Sequence, residues 1–149
     1  MVNMKSNHQM YREVDILGKS PLELVLQVYD GAISAFSGAR SHYDAGKPDE
    51  GYEELQRAKK FLTHLYTTLD FDNGGEVAQN LGSLYAFVIS QTNVIEGSKS
   101  TQQIESNIQI LKNLRSGWAD LKAHVGETRR SRPETGTPAT ESLQVNTSV

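Results

Sequence analysis

The chain has 149 residues, a formal net charge of −3 and no cysteine. That is the size of a single domain with a core of its own. It excludes a disulfide framework, a thiolate nucleophile and a cysteine-based zinc site, and a mildly acidic balance with scattered Lys and Arg argues against nucleic-acid binding. No apolar run approaches the roughly 18 residues of a membrane span. The opening "MVNMKSNHQMYREVD" has no apolar core of a secretory signal. The expected location is the cytosol, without membrane insertion.

The first dozen residues are polar, but Met10, Tyr11, Val14, Ile16 and Leu17 punctuate the approach to the first helix. Residues 1–20 are therefore expected to be a short N-terminal segment, too short for a domain and too apolar for a solvated leader. Ser20, Pro21 and Glu23 then spell a helix start: an N-cap, a proline at the first helical position and a capping box. Leu22, Val25, Leu26, Tyr29, Ile33 and Phe36 make one apolar stripe, continued by Ala39 and Tyr43. Leu24 and Val28 lie four apart on a different part of the same surface. "DAGKPDEG" ends this helix, with Gly46 as C-terminal cap and Pro48 opening the next.

The second helix runs from about Pro48 to Leu69, with Tyr52, Leu55, Ala58, Leu62, Leu65, Tyr66 and Leu69 at steps of three and four and Phe61 beside them. "DFDNGG" breaks the chain. Its likeness to a calcium loop fails, because Gly74 and Leu81 stand at the fifth and twelfth positions, so it reads as a turn. The third helix, from about Gly75 to Val94, carries Val77, Ala78, Leu81, Leu84, Tyr85, Val88 and Thr92, with Phe87 off this stripe. "EGSKS" follows, and Ser100 or Thr101 caps the fourth helix. There Ile104, Ile108, Leu111, Leu114, Trp118, Leu121 and Val125 admit no strand reading. Trp118, in mid-stripe, is expected to be largely buried. Ile110, Leu114, Gly117 and Leu121 form a flanking row.

Short connections make consecutive helices antiparallel neighbours. The expected fold is all-α: an up-down-up-down four-helix bundle over residues 21–125. Residues 126–149, rich in Thr, Ser, Glu, Pro and Gly, lack the periodicity of the segments before them and read as a disordered tail.

Chemistry is missing. The histidines at 8, 42, 64 and 124 lie in four segments without metal-ligand spacing, and no phosphate loop, HExxH or GxSxG occurs. The chain reads as a non-enzyme without a cofactor or metal. An enzymatic or ligand-binding bundle would need polar groups converging in the core, and the sequence offers only tyrosines there. What the chain has is apolar surface in excess. Each helix of a bundle touches two neighbours, so a wide apolar face on any one helix fits an ordinary core. Leu24 and Val28, Leu84 and Phe87, and Ile110, Leu114 and Leu121 repeat the excess on three helices, which points to a groove for a partner helix.

These residues resemble a known family. "SPLELVLQVYDGAISAF" resembles the first helix of the flagellar secretion chaperones, the FliS family; "GGEVAQNLGSLYAFV" resembles its third and "LRSGWADL" its fourth. Tyr11 and Val14 match a Tyr and a Val of its N-terminal segment. Val28 replaces a usual Leu before Tyr29, and Ala86-Phe87 a usual Asp-Tyr. The likeness spans about residues 11 to 123, and the tail has no counterpart. It implies a chaperone that binds the C-terminal segment of flagellin in the cytosol, prevents its premature polymerisation and helps deliver it to the flagellar export gate without ATP. It also implies that the N-terminal segment, through Tyr11 and Val14, covers part of the client groove. The alternative is a homo-oligomerising helical bundle whose second stripe meets its own copy.

Overall fold

The computed structural model describes the backbone of residues 20–131 and side chains through Gly126. Four helices follow one another: α1 (Pro21–Asp44), α2 (Pro48–Thr67), α3 (Gly75–Ser98) and α4 (Thr101–Ser131). No strand occurs among the described residues. Tyr11, Val14 and the tail beyond residue 131 lie outside the described residues.

The helix ends are set locally. The Ser20 hydroxyl accepts from the Glu23 amide while the Glu23 carboxylate accepts from the Ser20 amide, a complete capping box. At the far end of α1, Gly46 takes φ +74°, its amide donates to the Tyr43 carbonyl, and the Lys47 amide reaches the His42 carbonyl. This is the Schellman pattern, which leaves a left-handed residue best filled by glycine. Ser100 caps α4 by accepting from the Gln103 amide. The turn before α3 is tied by Asp70, whose carboxylate accepts from the amide and side chain of Asn73. α4 runs on to Ser131, past the expected end at Val125. Gly126 alone does not stop a helix, and the next strong breaker in the sequence is Pro133.

α1 is the hub. It packs along α2 on one flank and α4 on the other, and α2 carries α3. Small residues let α1 and α2 approach: Phe61 covers Gly31 so closely that a Cβ there would stand 2.5 Å from its ring, and Glu54 lies over Gly38. Ala32, Ala35 and Ala39 are fully buried. Tyr29, Phe36, Leu55, Leu62, Tyr85, Val88, Ile95, Ile104, Ile108 and Leu111 complete the core. Ion pairs fasten the outside: α1 to α4 through Arg40–Glu105, Asp30–Arg115 and Glu23–Lys122, and α2 to α3 through Lys59–Glu96. α3 and α4 share the least surface of any neighbouring pair, although only Lys99 and Ser100 separate them.

Several stripe positions are not core. Val77 is 68% exposed, and Tyr52, Tyr66, Leu84, Leu121 and Val125 are exposed too. The stripes are wider than the neighbours available to cover them. Trp118 is half-buried against the core rather than enclosed.

Candidate functional site: an open apolar side between α3 and α4

On α3 the flank towards α2 is marked by Asn93 and Glu96, which meet Lys59, and by Gly82 under Phe71. At about 100° per residue, Leu84 and Gln91 fall on the opposite flank, with Phe87 and Val94 at its outer edge. On α4 the flank towards α1 is marked by Glu105, Arg115 and Lys122. By the same arithmetic Ile110, Leu114, Gly117 and Leu121 fall on the opposite flank, which is turned to α3, where Asn107 donates to Thr92. The two apolar rows thus face one another across the seam where α3 and α4 pack least. Leu84, Phe87, Val94 and Leu121 are exposed, while Ile110 and Leu114 are half-buried against the core. Val77 and Val125 prolong the rows at one end. Between Glu76 and Glu96, α3 bears no charged residue.

The floor of this groove is polar and tightly bonded. The hydroxyls of Tyr29 (α1) and Tyr85 (α3) lie 2.5 Å apart, and the indole nitrogen of Trp118 (α4) donates to Tyr29 Oη at 3.0 Å. Both phenols are buried, and burial is the main reason that both are pushed above the ordinary tyrosine range. Nearby, the Thr92 hydroxyl donates to the Val88 carbonyl and accepts from Asn107 Nδ2; the buried Asn107 Oδ1 has no partner among the described residues. Among the described residues no group of three or more His, Cys, Asp or Glu could hold a metal, and no helix is long and apolar enough to cross a membrane.

Of the residues expected from the sequence, the structure brings together Leu84, Phe87, Ile110, Leu114 and Leu121. It sets Leu24 and Val28 apart. Both are half-buried on the α2-facing flank of α1, the flank on which Gly31 meets Phe61. Val77 and Val94 join the α3 row; the seven-residue steps from Val77 to Leu84 and from Phe87 to Val94 are visible in the sequence. The Tyr29–Tyr85–Trp118 cluster had no signal beyond three aromatic residues on apolar stripes. A shallow depression on the other side of α3, lined by Tyr66, Ala86, Ile89, Ser90 and Asn93, was not expected either.

Comparison with known proteins agrees with this architecture. The family model described as flagellar protein FliS matches residues 3–125. A flagellar secretion chaperone FliS of Salmonella typhimurium is 30% identical over 132 residues, covering 85% of this chain and 96% of its own. One from Vibrio cholerae is 25% identical over 122 residues, covering 79% of this chain and 90% of its own. A crystal structure of a bacterial flagellar chaperone superposes with a TM-score of 0.68 at 20% identity, covering 82% of this chain and 99% of that one, and so shares the fold. With its all-helical bundle and a family match over most of its length, the chain belongs to the FliS family of flagellar secretion chaperones, and it is a chaperone rather than an enzyme.

Proposed function

We propose that the chain binds the C-terminal segment of flagellin in the cytosol, keeps it from polymerising and presents it to the flagellar export gate. The observation that carries this reading is the open side between α3 and α4, where Leu84, Phe87 and Val94 stand exposed on one wall and Leu121 on the other. An amphipathic helix of the client lies in that groove with its apolar face inward, each buried apolar Å² contributing roughly 25 cal/mol. The absence of charge along α3 between residues 76 and 96 suits an apolar or uncharged polar partner, since an unpaired charge in such a contact is costly. A client that continues round the bundle meets Leu24 and Val28 as a separate contact on α1. The N-terminal segment, through Tyr11 and Val14, covers the groove when no client is bound.

Calorimetric titration with a flagellin C-terminal peptide tests this. Phe87→Asp, at a half-exposed site, should weaken binding and leave the melt unchanged. Removal of residues 1–15 should tighten binding, because a cover lowers apparent affinity by the fraction of time the groove is closed. No binding to the intact chain refutes the reading. Unchanged affinity in both variants places the client elsewhere. Sedimentation of the chain without client distinguishes a self-assembling bundle, which would run as an oligomer.

A further inference from the structure

α3 and α4 form the two walls of the groove, yet they pack against each other less than any other neighbouring pair. Only two residues of loop join them, at one end. Among the described residues, ion pairs tie α4 to α1 and α3 to α2, and none ties α3 to α4. Nearer the loop, Asn107 on α4 donates directly to Thr92 on α3. Farther from the loop, the walls are joined through Tyr29 of α1, whose hydroxyl bonds Tyr85 Oη on α3 and accepts from Trp118 Nε1 on α4. The geometry points to Tyr29 as the positioning residue that sets the width of the α3–α4 groove and holds Trp118 as part of its floor.

The chemistry suits the role. A phenol oxygen bonds two groups at once, and its rigid ring, fully buried, fixes where both bonds meet. Tyr29 and Tyr85 also stack at a tilt, with ring centroids 6.2 Å apart. Phenylalanine at position 29 would keep the ring and its packing but lose both bonds. The indole N–H of Trp118 and the hydroxyl of Tyr85 would then lose the oxygen that fixes them both and be left only with each other, so each would gain by shifting towards water. A groove whose walls move must be ordered by the client on binding, and that cost comes out of the affinity. The role in client affinity rests on the proposed flagellin site; the role in spacing the helices does not.

The test uses the full chain, which has no native cysteine to remove. Ser83→Cys on α3 and Ser116→Cys on α4, both exposed, take spin labels for distance measurement. With Tyr29 intact the distance distribution should be narrow. Tyr29→Phe should broaden it and expose Trp118, the only tryptophan, to a collisional quencher. It should also weaken flagellin-peptide binding about tenfold or more, as loss of preorganisation does. Leu55→Ala, in the fully buried core, is the control for lost stability and should leave the distance narrow. If Tyr29→Phe does not fold, Tyr85→Phe, which cuts only the α3 link, should broaden the distribution alone. A narrow, unchanged distribution in the variant overturns the inference. So does equal broadening in the Leu55→Ala control. If the intact chain binds no peptide while Tyr29→Phe still broadens the distance, the flagellin reading fails and the spacing role stands.

Discussion

Asn107 offers the sharpest energetic test of the α3–α4 seam. It is 1% exposed, its Nδ2 makes one long bond of 3.3 Å to Thr92, and its Oδ1 has no partner among the described residues. Leucine at this position would relieve the orphaned acceptor, worth about 1–3 kcal/mol, and forfeit a bond worth about 0.5–1.5 kcal/mol. Thr92 would keep its own bond to the Val88 carbonyl. Helix propensity adds a few tenths of a kcal/mol in favour of leucine. Asn107→Leu should therefore stabilise the bundle by about 1 kcal/mol, or about 4 °C in the melting temperature. Urea melts read at constant m measure the change. A loss of 1 kcal/mol or more would refute the reasoning, because it would mean that Oδ1 is satisfied by a buried water whose removal is costly. Asn107→Asp, which adds a charge at the same spot, should destabilise strongly.

Further outcomes follow from the same packing. Leu55→Ala should cost about 2–5 kcal/mol, as deletions in an enclosed core do, while Leu84→Ala, at 38% exposure, should cost under about 1 kcal/mol and weaken the client instead. Trp118→Ala should cost about 2–4 kcal/mol, at or below the low end for a fully enclosed tryptophan, because the ring is half-buried; a cost above that would show that it carries core packing like an enclosed ring. Tyr29 and Tyr85 are raised above 10.0 by burial. Above that pH the unfolded chain loses phenolic protons that the fold retains, so stability should fall as pH rises from about 10 onwards. Spectrophotometric titration should then show exposed tyrosines ionising first and these two only with unfolding; a single smooth titration in a folded protein would contradict it. Glu96 runs the other way. Burial would raise its pKa, but the Lys59 and Gln56 hydrogen bonds outweigh this and lower it from 4.5. Its contribution is present above that value and lost as pH falls below it, so Glu96→Gln should flatten the acid side of the stability profile.

The helix boundaries were legible in the sequence because their causes are local. Ser20 with Glu23, Gly46 before Pro48, and Ser100 with Gln103 each complete their own hydrogen bonds within a few residues. Four helical stripes joined by short turns left little choice of architecture, and three motifs along the chain carried the family. The partner surface was only partly legible. Periodicity relates the residues of one helix to each other, but not to a neighbour. Leu24–Val28 and Leu84–Phe87 therefore read alike as excess, and only tertiary packing put the first pair on the α2 flank of α1 and the second on the open side of α3. Val77 read as core for the same reason: it is in phase with it, but no neighbouring helix among the described residues covers it. The meeting of Tyr29, Tyr85 and Trp118 joins residues 56 and 89 positions apart. Such a contact exists only once three helices have chosen their faces, and those faces are chosen by the fit of side chains in the whole core.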